Sequence, residues 1–163
     1  MTILIARGTL DDVAEADALI RATAEWLIKK GEALWGPNET SPDELKRVAR
    51  LGELVIGRVE CDLASCMFLH DEDRLFWPQV APGEAFYIHR LAVARKFAGR
   101  GYAHAMLEWA EREARAQGRA FLRLDCEPRA KLLALYRSVG YMPIDPAPIQ
   151  VGEHFVVRHE RRL

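Results

Sequence analysis

The segment from Val93 to Ala105 constrains this chain more than any other, because an apolar stretch passes through two glycines into a helix-forming run. The stretch from Phe86 to Val93 has the composition of a buried strand, and residues 102–117 carry apolar side chains at helical spacing. Gly99 and Gly101 lie between them. A strand, a glycine loop and a helix in that order bring unpaired backbone N–H groups and the positive end of a helix dipole to one point. That arrangement favours the binding of an anion.

The two glycines allow two interpretations. Glycine lets the backbone bend and lets a phosphate approach without a Cβ in the way. Arg95, Lys96 and Arg100 would then add positive charge around the ligand. The alternative is that Gly99 and Gly101 form only a tight turn between two elements.

The loop does not match the two common nucleotide-binding motifs. A P-loop needs GxxxxGK followed by Ser or Thr, and the sequence contains none. A dinucleotide fingerprint needs a third glycine where His104 stands, and it normally follows the first strand of the fold. Several predicted strands precede this loop. ATP and NAD are therefore poor candidates for the ligand.

The whole chain, residues 1–163, predicts one α/β or α+β domain. It is 50% hydrophobic and 29% charged, enough for a core and a hydrated surface. Mostly antiparallel strands are predicted before the loop and a βαβαβ order after it, which indicates a mixed, mostly antiparallel sheet of about six to seven strands flanked by about four helices. No apolar run reaches the roughly 18 residues of a membrane span. We expect a cytoplasmic protein, without a leader peptide and with the reduced thiols Cys61, Cys66 and Cys126.

The charge is distributed unevenly along the chain. Residues 1–89 carry 9 basic and 16 acidic residues, whereas residues 90–137 carry 11 basic and 5 acidic residues. A basic middle in an acidic setting favours a compact polyanionic ligand at one site. A nucleic-acid-binding module is an alternative that would need exposed aromatic rings among the basic residues, with Phe97 and Tyr102 as candidates.

Three motifs then occur in order along the chain: YIHRLAVARKFAGRGYAHAMLEWAEREARAQG, FLRLDC and LYRSVGY. Together they resemble the GNAT superfamily of acetyl-CoA-dependent N-acetyltransferases, and the resemblance covers about residues 53–142 well. The resemblance implies a single GNAT-like domain whose strands splay at a cofactor cleft. It also implies acetyl-CoA as co-substrate. We expect no metal, because His70, His104, His154 and His159 show no metal-ligand spacing with acids or cysteines.

The resemblance implies which residues hold the cofactor. In that family the pattern Gln/Arg-x-x-Gly-x-Gly/Ala binds the pyrophosphate; here Gly101 and Ala103 match its last two positions, whereas the first is Ala98. The end of the preceding strand would bind the pantetheine arm through its backbone. The residues implied are Leu91, Ala92, Val93, Lys96, Ala98, Gly99, Arg100, Gly101, Tyr102 and Ala103. Lys96 or Arg100 is the candidate to compensate for Ala98. Arg129 replaces the asparagine that the family often has there, and it either meets the phosphates or faces solvent.

The resemblance also implies a general acid, whereas the general base is left open. Tyr136 matches the tyrosine of the motif Tyr-x-x-x-Gly-Phe/Tyr, and a phenol of pKa about 10 can donate a proton toward a departing thiolate whose thiol pKa is about 8.5. The alternative for Tyr136 is a buried aromatic residue. His89 is the candidate base, since it lies on the strand before the loop and histidine titrates near neutral pH. Glu84, Glu60 and Asp62 are alternatives that would act through water.

The resemblance therefore implies an enzyme that moves an acetyl group from acetyl-CoA to a primary amine of a small molecule or peptide by direct attack in a ternary complex. The acidic N-terminal half favours a cationic acceptor, bound by the N-terminal helices, the Trp77 loop and the C-terminal strand. Neither a nucleic acid nor a membrane is expected as a partner, and a monomer or homodimer is expected. The alternative function is a non-catalytic sensor or interaction module that binds acyl-CoA.

Overall fold

The structure is a computed structural model that describes residues 2–36, 40–152 and 154–163. The described helices are α1 (Val13–Lys29), α2 (Pro42–Arg50), α3 (Tyr102–Ala116) and α4 (Ala130–Ser138). The described strands are β1 (Leu4–Arg7), β2 (Leu54–Val59), β3 (Asp62–His70), β4 (Ala85–Val93), β5 (Phe121–Cys126), β6 (Met142–Pro143), β7 (Ile149–Val151) and β8 (His154–Arg162). Short 3₁₀ turns precede α1 and α3. No helix in these ranges is both long and apolar enough to cross a membrane.

The strands form a mixed sheet. Hydrogen-bonded neighbours follow the order β1-β2-β3-β4-β5-β8-β6, with β7 on β8. β4 and β5 run parallel, whereas β1 with β2, β2 with β3, and β8 with each of β5, β6 and β7 run antiparallel. The predicted fold class is therefore confirmed. The sequence did not predict the three-residue β7, because it lies just beyond Pro146 and Pro148 and is too short to show alternation.

The chain divides into two compact units. The first unit comprises residues 1–68 and 90–106, and the second comprises residues 69–89 and 107–163. β3, β4 and α3 each contribute residues to both units. The assignment of residues 1–163 to a single domain stays a prediction.

The first unit is built on the apolar faces of α1 and α2. α1 begins after a capping box, in which the Thr9 side chain caps the turn and the Asp12 carboxylate accepts from the Thr9 N–H. α2 begins at Ser41, whose hydroxyl accepts the Glu44 N–H at 3.1 Å. Their buried side chains pack with those of β2, β3 and β4 in one cluster, which includes Leu19, Ile20, Leu45, Val48, Leu54, Phe68 and Ala92. Burying one such large aliphatic side chain contributes about 1.5–3 kcal/mol, so this core fixes the end of β4.

The second unit is organised by β5, which pairs with β4 on one edge and β8 on the other. Leu122 and Leu124 are fully buried, and between them the Arg123 guanidinium is also buried. Arg123 donates to Glu84 and to Glu160, at 2.7 Å in each case. These two carboxylates offset the cost of burying its charge. These ion pairs link β5 to β8 and to the start of β4.

Candidate active site

The loop between β4 and α3 adopts a conformation that requires glycine. After the 3₁₀ turn Arg95–Phe97, Gly99 has φ of 76° and Gly101 has φ of 80°. Side chains other than glycine rarely adopt these values. A Cβ built at either glycine would meet no described atom within 4 Å, so the space above the backbone is open. Both glycines therefore bend the chain here, and a ligand can approach the backbone.

The start of α3 provides backbone donors beside this loop. Ala105 N–H donates to the Gly101 carbonyl at 3.1 Å, which makes Gly101 the residue that caps the helix. The N–H groups of residues 102–104 precede that bond and have no acceptor within the helix. α3 is 15 residues long, so its dipole adds positive potential at the same end. Loop and helix together have the geometry of a phosphate site.

The aromatic residues of the loop anchor it from below. Phe97 and Tyr102 are buried, and their ring centroids lie 5.9 Å apart. Both pack in a small cluster with Val59 and Ala64. Tyr102 can therefore contribute to an anion site only through its backbone. The interpretation as a nucleic-acid-binding module required these two rings to be exposed. Both are buried, so they cannot stack on bases.

The basic side chains around the loop differ in their partners. Lys96 Nζ lies 2.6 Å from the Asp62 carboxylate, in an exposed ion pair. Arg95 stacks on the Trp26 ring at 3.7 Å, and Arg100 lies 5.6 Å from the centre of the Phe97 ring. Ala98 ends the 3₁₀ turn and is exposed. Arg100 is thus the cation next to the glycines themselves, whereas Lys96 would have to leave Asp62 to reach a ligand.

The strand end that precedes the loop is held by its side chains and by β3. Ala92 is buried in the core of the first unit, and Leu91 and Val93 are half-buried. Ala94 N–H donates to the Ala64 carbonyl at 2.9 Å. Ala92 can therefore meet a ligand only through its main-chain atoms, whereas Leu91 and Val93 keep part of their side chains exposed.

The second unit places His89 between two carboxylates. Its Nε2 lies 3.0 Å from Asp73 Oδ2, and its Nδ1 lies 3.8 Å from Asp125 Oδ1. The His70 ring lies 5.4 Å from the His89 ring, centre to centre. The register of β4 with β5 ends at Ile88, one residue before His89. Arg90, the next residue, has φ of 53°, so the strand is kinked at this point.

Asp73 is held firmly as an anion. Burial by itself raises the pKa of Asp73, but its hydrogen bond and charge interaction with His89 and the backbone N–H groups of Phe76 and Leu75 outweigh burial and lower it. Its other oxygen, Oδ1, accepts both N–H groups at 3.1 Å. The carboxylate is therefore an acceptor, not a donor, at neutral pH.

Tyr136 is a buried phenol. Burial fits the interpretation of Tyr136 as a core aromatic residue, and it is also compatible with a role as general acid. Its ring packs edge-on against Tyr141 at 6.0 Å and lies 6.1 Å from the His159 ring. Burial raises the pKa of Tyr136, and negative charge on Cys126 and Asp125 would raise it further. The phenol is therefore protonated throughout the neutral and mildly alkaline range.

Two of the three remaining candidate bases have partners of their own. Glu84 accepts from Arg123 at 2.7 Å, and Asp62 pairs with Lys96. Glu60 is exposed in the turn between β2 and β3, with φ of 55°. His89 differs from these carboxylates, because its side chain is partly exposed and lies beside two acidic groups, Asp73 and Asp125. Arg129, the N-terminal cap residue of α4, forms an ion pair with Glu127 at 2.5 Å.

The cysteines do not form a nucleophilic site. All three are free thiols, with Cys61 exposed and the other two buried. Burial raises the pKa of Cys66 to about 12, and burial together with the charges of Asp125 and Glu127 raises that of Cys126 to about 12. The thiolate is the reactive form, so the buried pair is unreactive at neutral pH.

Sequence reasoning missed Asp73 and Asp125 as site residues. Asp125 carried a weak signal, since it is the one carboxylate within the otherwise largely apolar strand FLRLDC. Asp73 carried none, because it stands in the acidic run Asp71-Glu72-Asp73 of a loop and looks like a solvated residue. In the structure, one side-chain nitrogen or carboxylate oxygen from each of Asp73, His89 and Asp125 lies within 4.8 Å of the others. The spacing of these residues along the chain does not reveal this cluster.

Comparison with known proteins agrees with this geometry. The model of the acetyltransferase (GNAT) family matches residues 20–141. The N-acetyltransferase YesJ of Bacillus subtilis is 30% identical over 138 residues, which is 80% of this chain and 77% of YesJ. A GNAT-family acetyltransferase from Listeria monocytogenes superposes with a TM-score of 0.81 at 22% identity, covering 99% of this chain and 95% of that one. YncA from Salmonella typhimurium, solved with its cofactor acetyl-CoA, gives 0.76 at 13% identity, covering 100% and 95%.

The family model and the relative YesJ define the class of this enzyme as an acetyltransferase, and its structural neighbours include one solved with acetyl-CoA. The chain belongs to the acetyltransferase (GNAT) family, and the predicted resemblance is confirmed.

Proposed function

We propose that this enzyme transfers the acetyl group of acetyl-CoA directly to a primary amine of a small molecule or peptide, within a ternary complex. The observation that carries the proposal is the loop of Gly99 and Gly101, which adopts two left-handed conformations before the N-terminus of α3. Backbone donors, a helix dipole and open space combine there as a pyrophosphate requires. The family relation supports acetyl-CoA as the molecule that carries this pyrophosphate.

The residues of the loop and strand divide the binding of acetyl-CoA between them. The N–H groups from Gly99 to Ala103 bind the pyrophosphate, and Arg100 adds charge in place of the side chain absent at Ala98. Main-chain groups of Leu91, Ala92 and Val93 bind the pantetheine arm. Lys96 and Arg129 bind the phosphates only if their ion pairs with Asp62 and Glu127 break.

The chemistry then needs one base and one acid. An amine nitrogen with a free lone pair attacks the carbonyl carbon of the thioester, the C–N bond forms, and the C–S bond breaks. His89 takes the proton that the amine nitrogen loses, and Tyr136 donates its hydroxyl proton toward the thiolate of coenzyme A. Solvent afterwards removes the proton from His89 and returns one to Tyr136. Burial raises the pKa of Tyr136, which keeps the phenol protonated but makes it a weaker acid, so its proton moves only as charge develops on sulfur.

Ligand-dependent thermal unfolding tests the cofactor. A ligand present at 100 times its Kd stabilises the folded state by about 2.7 kcal/mol, which raises the Tm of a domain of this size by roughly 5 to 11 °C. We expect that shift with acetyl-CoA and with coenzyme A, and none with ATP or NAD. A protein that responds to neither coenzyme A compound does not have the proposed cofactor site. A protein that shifts but acetylates no amine is the sensor, not the enzyme.

The acceptor is proposed to be a cationic amine. Trp77 is buried against Tyr87, 5.3 Å away between ring centres, and both line a small depression with Asp71, Glu72 and Asp73. Aromatic rings and carboxylates together suit an alkylammonium group. Asp71 pairs with Arg119 and Glu72 pairs with Arg74. These ion pairs partly neutralise the carboxylates, so the net negative charge of the depression is small.

An amine panel tests this preference. We expect kcat/KM for diamines and arylalkylamines to exceed that for acidic amines such as glutamate by at least roughly 10-fold, because one favourable charge contact is worth on the order of 1.4 kcal/mol. Turnover is measured as release of coenzyme A at low and high salt. Equal or better use of acidic acceptors contradicts the cationic assignment while leaving the transferase intact.

A further inference from the structure

The contacts around His89 determine which of its two ring nitrogens can act as a base. Nε2 is 3.0 Å from Asp73 Oδ2, a hydrogen-bond distance, whereas Nδ1 is 3.8 Å from Asp125 Oδ1, which is beyond one. Asp73 carries no proton at neutral pH, so the hydrogen of the short contact belongs to Nε2. In neutral His89 the lone pair is then on Nδ1.

We propose that Asp73 is a positioning residue that holds His89 as the Nε2–H tautomer and so leaves Nδ1 to accept the proton of the attacking amine. This inference rests on the proposed function, in which His89 is the base. Asp73 is itself fixed, since the N–H groups of Leu75 and Phe76 bind its Oδ1 and leave Oδ2 for the imidazole. The loop after β3 thus builds a rigid support for a ring on β4.

The groups around His89 also suit the state that follows proton transfer. Once Nδ1 takes a proton, the imidazolium has Asp73 at one nitrogen and Asp125 at the other. Each of its two N–H groups then faces a carboxylate of opposite charge. The His70 ring is a further neighbour, 5.4 Å from the His89 ring between centres.

A cation held by the same three residues is the competing explanation. The two nearest carboxylate oxygens, however, face different nitrogens of the His89 ring. One ion binds one nitrogen of an imidazole, so this arrangement fits a hydrogen-bonded ring better than a metal ligand set.

The substitution Asp73→Asn tests the inference with little change of shape. The asparagine side-chain oxygen can still accept the N–H groups of Leu75 and Phe76, but its NH₂ group would donate to Nε2 and force the proton of neutral His89 onto Nδ1. Long-range ¹H–¹⁵N NMR of the histidine rings at alkaline pH reads the tautomer directly, and His89→Gln identifies the signal. We expect Nε2–H in the native protein and Nδ1–H in Asp73→Asn. An Nδ1–H tautomer in the native protein, or no change in the variant, overturns the proposal.

Kinetics supply a second readout. We expect kcat to fall roughly 10- to 100-fold in Asp73→Asn, with the KM for acetyl-CoA unchanged and partial recovery in Asp73→Glu. In a His89→Gln background, Asp73→Asn should have little further effect, because it acts through the ring. Equal effects in both backgrounds would show a merely structural role. Loss of activity on chelation, restored by a divalent cation, would establish the metal site instead.

Asp145→Asn is the matched control. It removes another carboxylate of lowered pKa, one hydrogen-bonded to Arg158 with a shortest contact of 2.7 Å. It should lower the Tm but leave the His89 tautomer and kcat unchanged. The tautomer measurement needs no turnover, so an inactive native protein would contradict the proposed function without deciding the role of Asp73.

Discussion

Tyr136→Phe is expected to lower kcat by roughly 10- to 1,000-fold, the range of a lost acid or hydrogen-bond donor at a developing charge. The KM for acetyl-CoA should change little, because the phenol acts on sulfur only as the C–S bond breaks. Steady-state kinetics with the best amine of the panel give both parameters. Turnover equal to that of the native enzyme would remove Tyr136 from the mechanism.

Tyr141→Phe is the matched control for this substitution. Tyr141 is also buried, its ring contacts that of Tyr136, and its hydroxyl has no hydrogen-bond partner among the described residues. Removing an unsatisfied buried hydroxyl should leave stability equal or slightly higher. We therefore expect native kcat and an unchanged or higher Tm. A parallel loss of kcat in both variants would indicate damage to packing around α4, not loss of an acid.

Gly101→Val is expected to abolish the thermal shift with acetyl-CoA and coenzyme A. Valine is β-branched and strongly disfavours the φ of 80° at this position, and its side chain would occupy the open space where a pyrophosphate approaches the backbone. Isothermal titration calorimetry should show a loss of affinity of at least about 100-fold, which is about 2.7 kcal/mol.

Gly52→Val separates this effect from backbone strain. Gly52 has φ of 70° and likewise has nothing within 4 Å of an added Cβ, but it lies in the turn after α2 and belongs to no proposed site. Both variants should lose similar stability without ligand. Only Gly101→Val should lose the response to coenzyme A. Tight binding by Gly101→Val would place the phosphate site elsewhere in the chain.

The parts of the site that were predictable are local in sequence. A left-handed turn selects glycine, and a helix start exposes its N–H groups wherever the rest of the fold lies, so the loop from Ala98 to Ala103 could be recognised residue by residue. Tyr136 was identified by the resemblance, since it matches the tyrosine of the family motif Tyr-x-x-x-Gly-Phe/Tyr. The strand and helix pattern followed from side-chain periodicity, which the structure confirms for the four helices and the sheet.

The parts that were not predictable are contacts between distant segments. Phe97 and Tyr102 could not be distinguished from exposed stacking rings until Val59 and Ala64 were seen beside them. Lys96 could not be known to pair with Asp62, since nothing in either segment specifies the register that brings them together.

The sequence by itself thus determined the class of enzyme and predicted the glycine loop and the candidate acid, because each corresponds to a motif of a few consecutive residues. Only the tertiary structure decided the surroundings of His89. Asp73 comes from an aperiodic loop and Asp125 from the neighbouring strand, and they meet the ring only because β4 and β5 pair in one register and the loop folds back. Strand register and loop path are set by the packing of the whole unit, and no short stretch of sequence encodes them.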